Sequence, residues 1–538
     1  MEHNLKQKFT KAYANDFMTL DGYSFKKLAE LKWVWFWSGN WPLLDATTER
    51  NRDFEIEFKK VAGIYPRITV DIFRGGLITA YHCQEEYNRM AKFLYRKFED
   101  EPKFILKSLA DYEQKTNRDI TTLEQLAKRD FHVCSNAELI KIFNTARKHF
   151  VYNSAIDHWA WYIEKFFTPK LEKYLIRRLA ELGKNDFVPE YLSTLVSPTK
   201  PSRIYEERIA FFQIVKQTRN IRGFVTAAKN YPRTKKLAER FPKVGLWVRK
   251  HFECYGWLPV LVNNPPTTER DIWEEIVSAT KRSPSLELDV KRLGDNFDNG
   301  ILQRKKRLIN ELKPDLATLY LIRTLERTAF VRTEDNAVMS RSAYLIIPLY
   351  KEIARRLDIS YYELKELISE EVVRALRISS DVQKLIGSRY KLSGFLVFKG
   401  RRFILDGNEA NKLKLIIESS INQSKKKTKK TLKIFKGNPA SLGRVRGRVF
   451  LALSSKDCNV MKKGDILIAP ATSADFVPAM RKAAAIVTEF GGLTSHAAVV
   501  SREFNIPCVV GVENITNFLK SGDVVEIYAS KGMVQRVE

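Results

Sequence analysis

Apolar residues recur at helical spacing along most of the first 420 positions, with charged residues between them. Residues 95–112 (YRKFEDEPKFILKSLADY) show the pattern clearly, and Pro102 is expected to end one helix there and open the next. The same spacing predicts helices over 136–150, 157–182, 308–331 and 342–357. Alternating runs are few in this stretch. Polar and proline clusters at 197–202 and 263–268 mark boundaries, and Thr268 is placed to cap a helix starting near Glu269. The pattern changes near residue 400, where two short apolar runs flank Lys399 and Gly400 and predict a β-hairpin over 394–407. From Thr431 onward, short β-type runs at 447–452, 465–469, 485–488, 508–511 and 523–528 alternate with helical segments at 473–482 and 496–504. That alternation predicts a compact α/β domain at the C-terminal end.

A chain of 538 residues is too long for one ordinary core. Its 44% hydrophobic and 12% aromatic content is that of a globular protein. The N-terminus lacks the apolar core of a signal peptide, and no window has the roughly 18 apolar residues of a membrane span. The expectation is a cytoplasmic protein with no membrane partner. Cys83, Cys134, Cys254, Cys458 and Cys508 are scattered and suggest neither a zinc site nor a disulfide framework. Ninety-two Lys and Arg against 63 Asp and Glu leave a formal charge of +29. The basic residues read as dispersed, with acidic ones among them, so nucleic acid is not expected as a partner despite the charge. The dense run 425–430 (KKKTKK) falls between two ordered patterns and reads as a flexible hinge.

One segment carries chemistry: residues 488–503, TEFGGLTSHAAVVSRE. A buried-type strand ends at Thr488, and Gly491 and Gly492 allow a tight turn with exposed N–H groups. Thr494 and Ser495 supply hydroxyls, and His496 falls at the start of an apolar helix. A helix N-terminus favours an anion, and a neutral imidazole is a nucleophile near pH 7. Arg502 can reach phosphoryl oxygens if its side chain folds back. A plainer reading remains open on these residues alone: Thr494 or Ser495 as an N-cap and His496 as a first-turn residue. Aromatic clusters at Trp33–Trp37 with Trp41, and at Trp159–Tyr162, suit either a pocket or a core. The run Arg323, Arg327, Arg332, Glu334, Asp335 suits either a phosphoryl group or a solvated helix face.

Several motifs in order resemble the swivelling phosphohistidine domain of phosphoenolpyruvate synthase, pyruvate phosphate dikinase, enzyme I of the sugar phosphotransferase system and rifampicin phosphotransferase. They are 437–443 (GNPASLG), 471–480 (ATSADFVPAM), 483–488 (AAAIVT), the GGLTSH block at 491–496, and 505–512 (NIPCVVGV). In that family the histidine of the block is phosphorylated, and His496 stands in its place. More loosely, 323–336, 341–344, 361–368 and 248–257 are similar to the helical middle region of the same group. No phosphate loop of the GxxxxGK[ST] type occurs, and neither the ATP-grasp domain nor the phosphoenolpyruvate barrel of the family is recognised.

The resulting expectation is multidomain: a largely α-helical N-terminal region followed by a C-terminal α/β swivelling phosphohistidine domain. Its parts are a helical domain at 1–200, a second at 201–420 containing the hairpin, a Lys-rich hinge at 421–432 and the phosphohistidine domain at 433–538. His496 is the expected catalytic residue, with Gly491, Gly492, Thr494, Ser495 and Arg502 binding the phosphoryl group. The resemblance implies a separate ATP-grasp donor protein, Mg2+ with ATP in the donor step on that partner, and a small-molecule acceptor bound by the helical region. No metal site and no cofactor is assigned to this chain itself. The alternative is a phosphohistidine-dependent regulator or scaffold without acceptor chemistry.

Overall fold

The structure is a computed structural model that describes residues 22–39, 43–44, 63–151, 153–230, 234–262, 264–281, 300–378, 382–398, 401–425 and 433–537. Trp41, the turn at Lys399 and Gly400, and most of the expected hinge fall outside that set. Contacts divide the chain into two compact units that interleave in sequence. One contains 1–101, 114–166 and 345–431, and the other 102–113, 167–344 and 432–538.

The first unit holds a five-stranded antiparallel sheet: β1 (Trp33–Gly39), β2 (Ile68–Arg74), β3 (Leu77–Cys83), β4 (Ser393–Phe398) and β5 (Arg401–Asp406), in the order β1-β3-β2-β4-β5. The β4–β5 hairpin is the one expected near residue 400. Strands β1 to β3 were not among the elements expected in the largely helical N-terminal region. Gly75 and Gly76 have φ of +57° and +77°, which lets a two-residue turn join β2 to β3. Trp33 is buried in the core with Val70, Ile72, Leu396 and Phe398, and its indole donates to the Leu28 carbonyl at 3.0 Å. Trp159 and Tyr162 are also buried, while Trp161 between them is half-buried, so Trp33, Trp159 and Tyr162 are core residues.

Pro102 separates the helices Gln84–Asp100 and Phe104–Ala127 as expected. Glu101, immediately before it, has left the helical region (φ −139°, ψ 84°), as a residue preceding proline must. Thr268 caps the helix Glu269–Lys281 by accepting from the Asp271 N–H at 3.2 Å. Further on, the expected helices at 308–331 and 342–357 are redrawn. A break falls at Lys313, whose φ is +45°, with Pro314 next, and one 41-residue helix then runs over Leu316–Arg356. It continues through the polar stretch at 333–342 because that stretch is satisfied within the protein. Thr333 donates to the Ala329 carbonyl at 3.1 Å and Ser342 to Val338 at 3.0 Å, while Tyr112 donates to the buried Asp335 carboxylate.

The second unit contains an eight-stranded sheet of β6 (Ile434–Lys436), β7 (Asn438–Ser441), β8 (Arg444–Leu451), β9 (Ile466–Ala469), β10 (Ala485–Thr488), β11 (Cys508–Val510), β12 (Val524–Tyr528) and β13 (Met533–Val537). The order is β6-β13-β12-β8-β9-β10-β11-β7, with β8, β9, β10 and β11 parallel. The fully buried β9, β10 and β11 are all-apolar but for Thr488, as strands covered on both faces are. The helix expected at 473–482 is shorter, a 3-10 turn at Ala474–Phe476 and one α-turn at Val477–Met480. Among the described residues no helix is long and apolar enough to cross a membrane.

Two glycines hold an edge of this sheet together. Gly437 donates its N–H to the Gly532 carbonyl at 2.8 Å, and Gly532 has a φ of +58°. A Cβ on Gly532 would come within 2.2 Å of the Gly437 carbonyl oxygen. Gly532→Ala is therefore expected to destabilise the α/β part by about 2 kcal/mol or more, from backbone strain and the clash. Faster amide hydrogen exchange over residues 434–441 would report the loss.

Candidate phosphohistidine site

Strand β10 ends at Thr488 in the middle of the parallel ladder, so the chain beyond it emerges at the carboxyl edge beside the end of β9. That edge is where α/β sheets gather functional loops. Glu489 and Phe490 donate to the Ala469 and Pro470 carbonyls at 3.0 and 2.8 Å, tying the loop to its neighbour. Gly491 then turns with a φ of +106°, and a Cβ there would touch Ser495 at 3.0 Å. The turn closes through Ser495 N–H to the Gly492 carbonyl at 3.0 Å. Ser495 caps the helix His496–Glu503, its Oγ accepting from Ala498 N–H at 3.3 Å. The capping role weighed for Ser495 is thus real and coexists with whatever His496 does.

His496 is the first residue of that helix and is 4% exposed. Its Nδ1 lies 3.2 Å from Thr472 Oγ1, on the loop after β9. Its Nε2 is buried with no hydrogen-bond partner among the described residues. Burial pushes the imidazole pKa down to about 3, and the positive charge of Arg332 on the helix Leu316–Arg356 adds to the effect. The ring is neutral throughout the physiological range. In the tautomer that donates from Nδ1 to Thr472, Nε2 carries the lone pair.

The other expected residues are distributed around this ring in different roles. Thr494 is fully buried directly before the cap. Arg502 does fold back toward the start of its helix, but its guanidinium donates to main-chain carbonyls, Leu493 at 2.8 Å and Ala440 at 3.2 Å. It braces the glycine loop against β7. The charged run divides between its two readings: Arg323 is exposed and Arg327 and Glu334 are half-buried, whereas Arg332 and Asp335 are buried. Thr472 was not singled out as a site residue. The usable signal was its position just past the end of β9, next to β10 in the ladder.

Helices of the same unit pack on the far end of the histidine helix and on β7. Glu503, at the far end of the histidine helix, accepts from Ser202 N–H at 2.9 Å and Ser202 Oγ at 2.7 Å. Arg481 donates to Glu207 at 2.6 Å, and His251 lies 3.2 Å from the other oxygen of that carboxylate. Ser193 Oγ donates to the Ala440 carbonyl at 3.0 Å. Phe504 packs into the helical core beside Tyr205, with the Arg481 guanidinium 5.6 Å from its ring centre. The two carboxylates respond oppositely to this environment. Burial opposes ionisation of Glu207, yet Arg481, His251 and Arg208 outweigh it and hold its pKa near 2. Burial raises Glu503 to about 7 against the pull of the Ser202 bonds, with Glu334 adding to the rise.

Residues 461–532 match the family described as PEP-utilising enzyme, mobile domain. Phosphoenolpyruvate synthase of Pyrococcus furiosus is 33% identical over 186 residues, 34% of this chain and 22% of that protein. A probable phosphoenolpyruvate synthase of Archaeoglobus fulgidus is 48% identical over 101 residues, 19% of this chain and 13% of that one. Rifampicin phosphotransferase of Bacillus cereus is 38% identical over 99 residues, covering 18% and 11%. The chain thus spans less than a quarter of each of these relatives. The 186-residue likeness is longer than the C-terminal α/β part and reaches into the helices before it.

The raised pKa of Glu503 makes the contact with Ser202 sensitive to pH. A carboxyl raised from its free value contributes stability that is complete below pH ~4.5 and lost as pH rises through about 7. Between pH 6 and 8 the wild type is expected to lose about 1 kcal/mol relative to Glu503→Gln. Parallel thermal melts of the two proteins at both pH values check the difference.

Proposed function

We propose, from the premise that its C-terminal part is a mobile domain of the PEP-utilising enzymes, that this protein is a phosphotransferase component carrying a phosphoryl group on His496. The observation that supports the reading most directly is the imidazole itself. It is kept unprotonated by burial, with Nδ1 beside a hydroxyl and Nε2 lacking a partner, at a helix N-terminus whose partial charge suits an anion. Nε2 is the atom that attacks phosphorus. The nucleotide leaving group departs with the electron pair of the broken P–O bond, and the Nδ1 proton stays on the ring, donated to Thr472 Oγ1.

Burial also sets a condition. A ring 4% exposed takes no group from a donor in solution, so the contact between the histidine helix and the helical lobe has to open first. In this reading the arrangement described is the docked state, and the lysine-rich stretch at 421–432 is the hinge that lets the domain leave and return. The donor is a separate ATP-grasp protein using ATP with Mg2+, and the acceptor is a small molecule held by the helical region. Thr494, Ser495 and the main-chain N–H groups of the Gly491–Gly492 loop line the phosphoryl group in the open state. Phosphoryl transfer needs alignment and charge stabilisation more than covalent help, which a carrier domain supplies by position.

With a donor protein and radiolabelled ATP, the wild type is expected to take up acid-labile, alkali-stable label, and His496→Ala to take up none. Label retained by His496→Ala ends the proposal. Label that is stable on His496 and never passes to an acceptor assigns the protein to phosphohistidine signalling instead. Thr472→Val is expected to slow labelling about 10-fold while leaving the melting temperature within a degree or two, because it frees the tautomer without opening a cavity.

A further inference from the structure

The cations of this chain are not spread evenly. Residues 216–250 contain eleven Lys and Arg against one carboxylate, Glu239. These residues belong to a small lobe in which the helices Arg203–Arg219, Phe224–Asn230, Thr234–Arg240, Pro242–Tyr255 and Glu269–Lys281 surround one core. Phe211, Phe224, Leu237, Val244, Val248 and Trp273 are among its members. Turning Val244, Val248 and His251 inward on Pro242–Tyr255 points Lys243, Leu246 and Lys250 outward at i, i+3 and i+7. Lys236 and Arg240 stand exposed one turn apart on the preceding helix, and Lys216 and Arg222 are exposed at the end of the first helix and in the loop after it.

Carboxylates on the neighbouring helix do not neutralise this surface. Glu275 pairs with Arg208 at 2.6 Å and Glu274 with Arg270 at 2.8 Å, while Asp271 is engaged by the Thr268 cap. Glu269 reaches Arg249 at 3.7 Å, which leaves Lys216, Arg222, Lys236, Arg240, Lys243 and Lys250 as a predominantly cationic surface among the described residues, interrupted by Glu239 and ending at the exposed Glu253 one turn past Lys250.

We infer that this lobe binds the phosphate backbone of nucleic acid, without reading bases. The sign and the evenness of the charge select the partner. Protein interfaces combine an apolar centre with both signs of charge at the rim. A membrane-binding face needs apolar side chains to insert. Among the described residues of the lobe, Leu246 is the large apolar side chain that is exposed, at 66%, and the remaining large apolar residues are drawn wholly or partly into the core. A surface of cations on short helices suits a regularly spaced row of phosphates, with affinity drawn from counterion release. The inference does not depend on His496 carrying phosphate.

The test uses the full chain and labelled duplex DNA and single-stranded RNA of about 20 nucleotides, with polarisation measured across a salt series. Wild type is expected to bind at about micromolar Kd near 0.1 M salt, with log Kd steepening by roughly one unit per phosphate contact. Lys236→Glu, Lys243→Glu and Lys250→Glu together should weaken binding at least ~10-fold and reduce the slope by about 3. The matched reversal of Lys128, Lys173 and Arg177, exposed elsewhere and equal in charge, should cost less than ~2-fold. The corresponding Lys→Gln triple on the lobe, which adds no negative charge, should give an intermediate loss. Equal losses from both reversal triples would show net charge alone and overturn the assignment. So would the absence of binding at 0.1 M salt, displacement by polyglutamate as effective per charge as by nucleic acid, or binding confined to phosphatidylserine vesicles.

Discussion

An imidazole held out of water with one nitrogen unsatisfied is the constraint on which the rest of this structure turns. A buried polar atom without a partner costs on the order of 1–3 kcal/mol. Here the cost falls on His496 Nε2, at the carboxyl edge of a parallel ladder and the start of a capped helix. The same burial that leaves the atom without a partner keeps it unprotonated. What surrounds it follows from that. Thr472 occupies the other nitrogen, Arg502 fastens the glycine loop by its carbonyls, and Arg332 adds a positive charge that opposes protonation.

The C-terminal α/β part was readable because its strands are short buried runs separated by glycine turns, and because the histidine helix announces itself by a cap. The N-terminal sheet was readable too, and was passed over. Residues 68–83 alternate between the faces of a strand on either side of Arg74, Gly75, Gly76 and Leu77, a two-glycine hairpin turn. Helical spacing in the surrounding sequence outweighed it. The join at 331–342 was missed for a different reason: its polar residues look like a loop until Thr333 and Ser342 are seen to bond carbonyls of their own helix and Tyr112, 223 positions away, to bond Asp335.

Contacts of that kind set the limit of reading one sequence. Ser202 and Glu503 are 301 positions apart, and Glu207 and Arg481 are 274 apart. Each is an unremarkable polar residue on its own helix or turn. Arg481 and the cations beside it hold Glu207 ionised, while burial makes Glu503 resist ionisation against the pull of Ser202, which no local pattern encodes. Arg502 depends on contacts of the same kind: its side chain folds back as the spacing allows, and in this structure its guanidinium meets the main-chain carbonyls of Leu493 and Ala440.

Ser202 serves two structures with one hydroxyl. Its oxygen accepts from Tyr205 N–H, finishing the helix Arg203–Arg219, while its proton goes to Glu503. Withdrawing the carboxylate removes an acceptor but not the lone pair that ends the helix. The lobe therefore loses a guest without fraying. Opening the contact at Glu503 leaves no turn of the helix Arg203–Arg219 to melt and rebuild, because the cap that begins it lies within Ser202 and Tyr205.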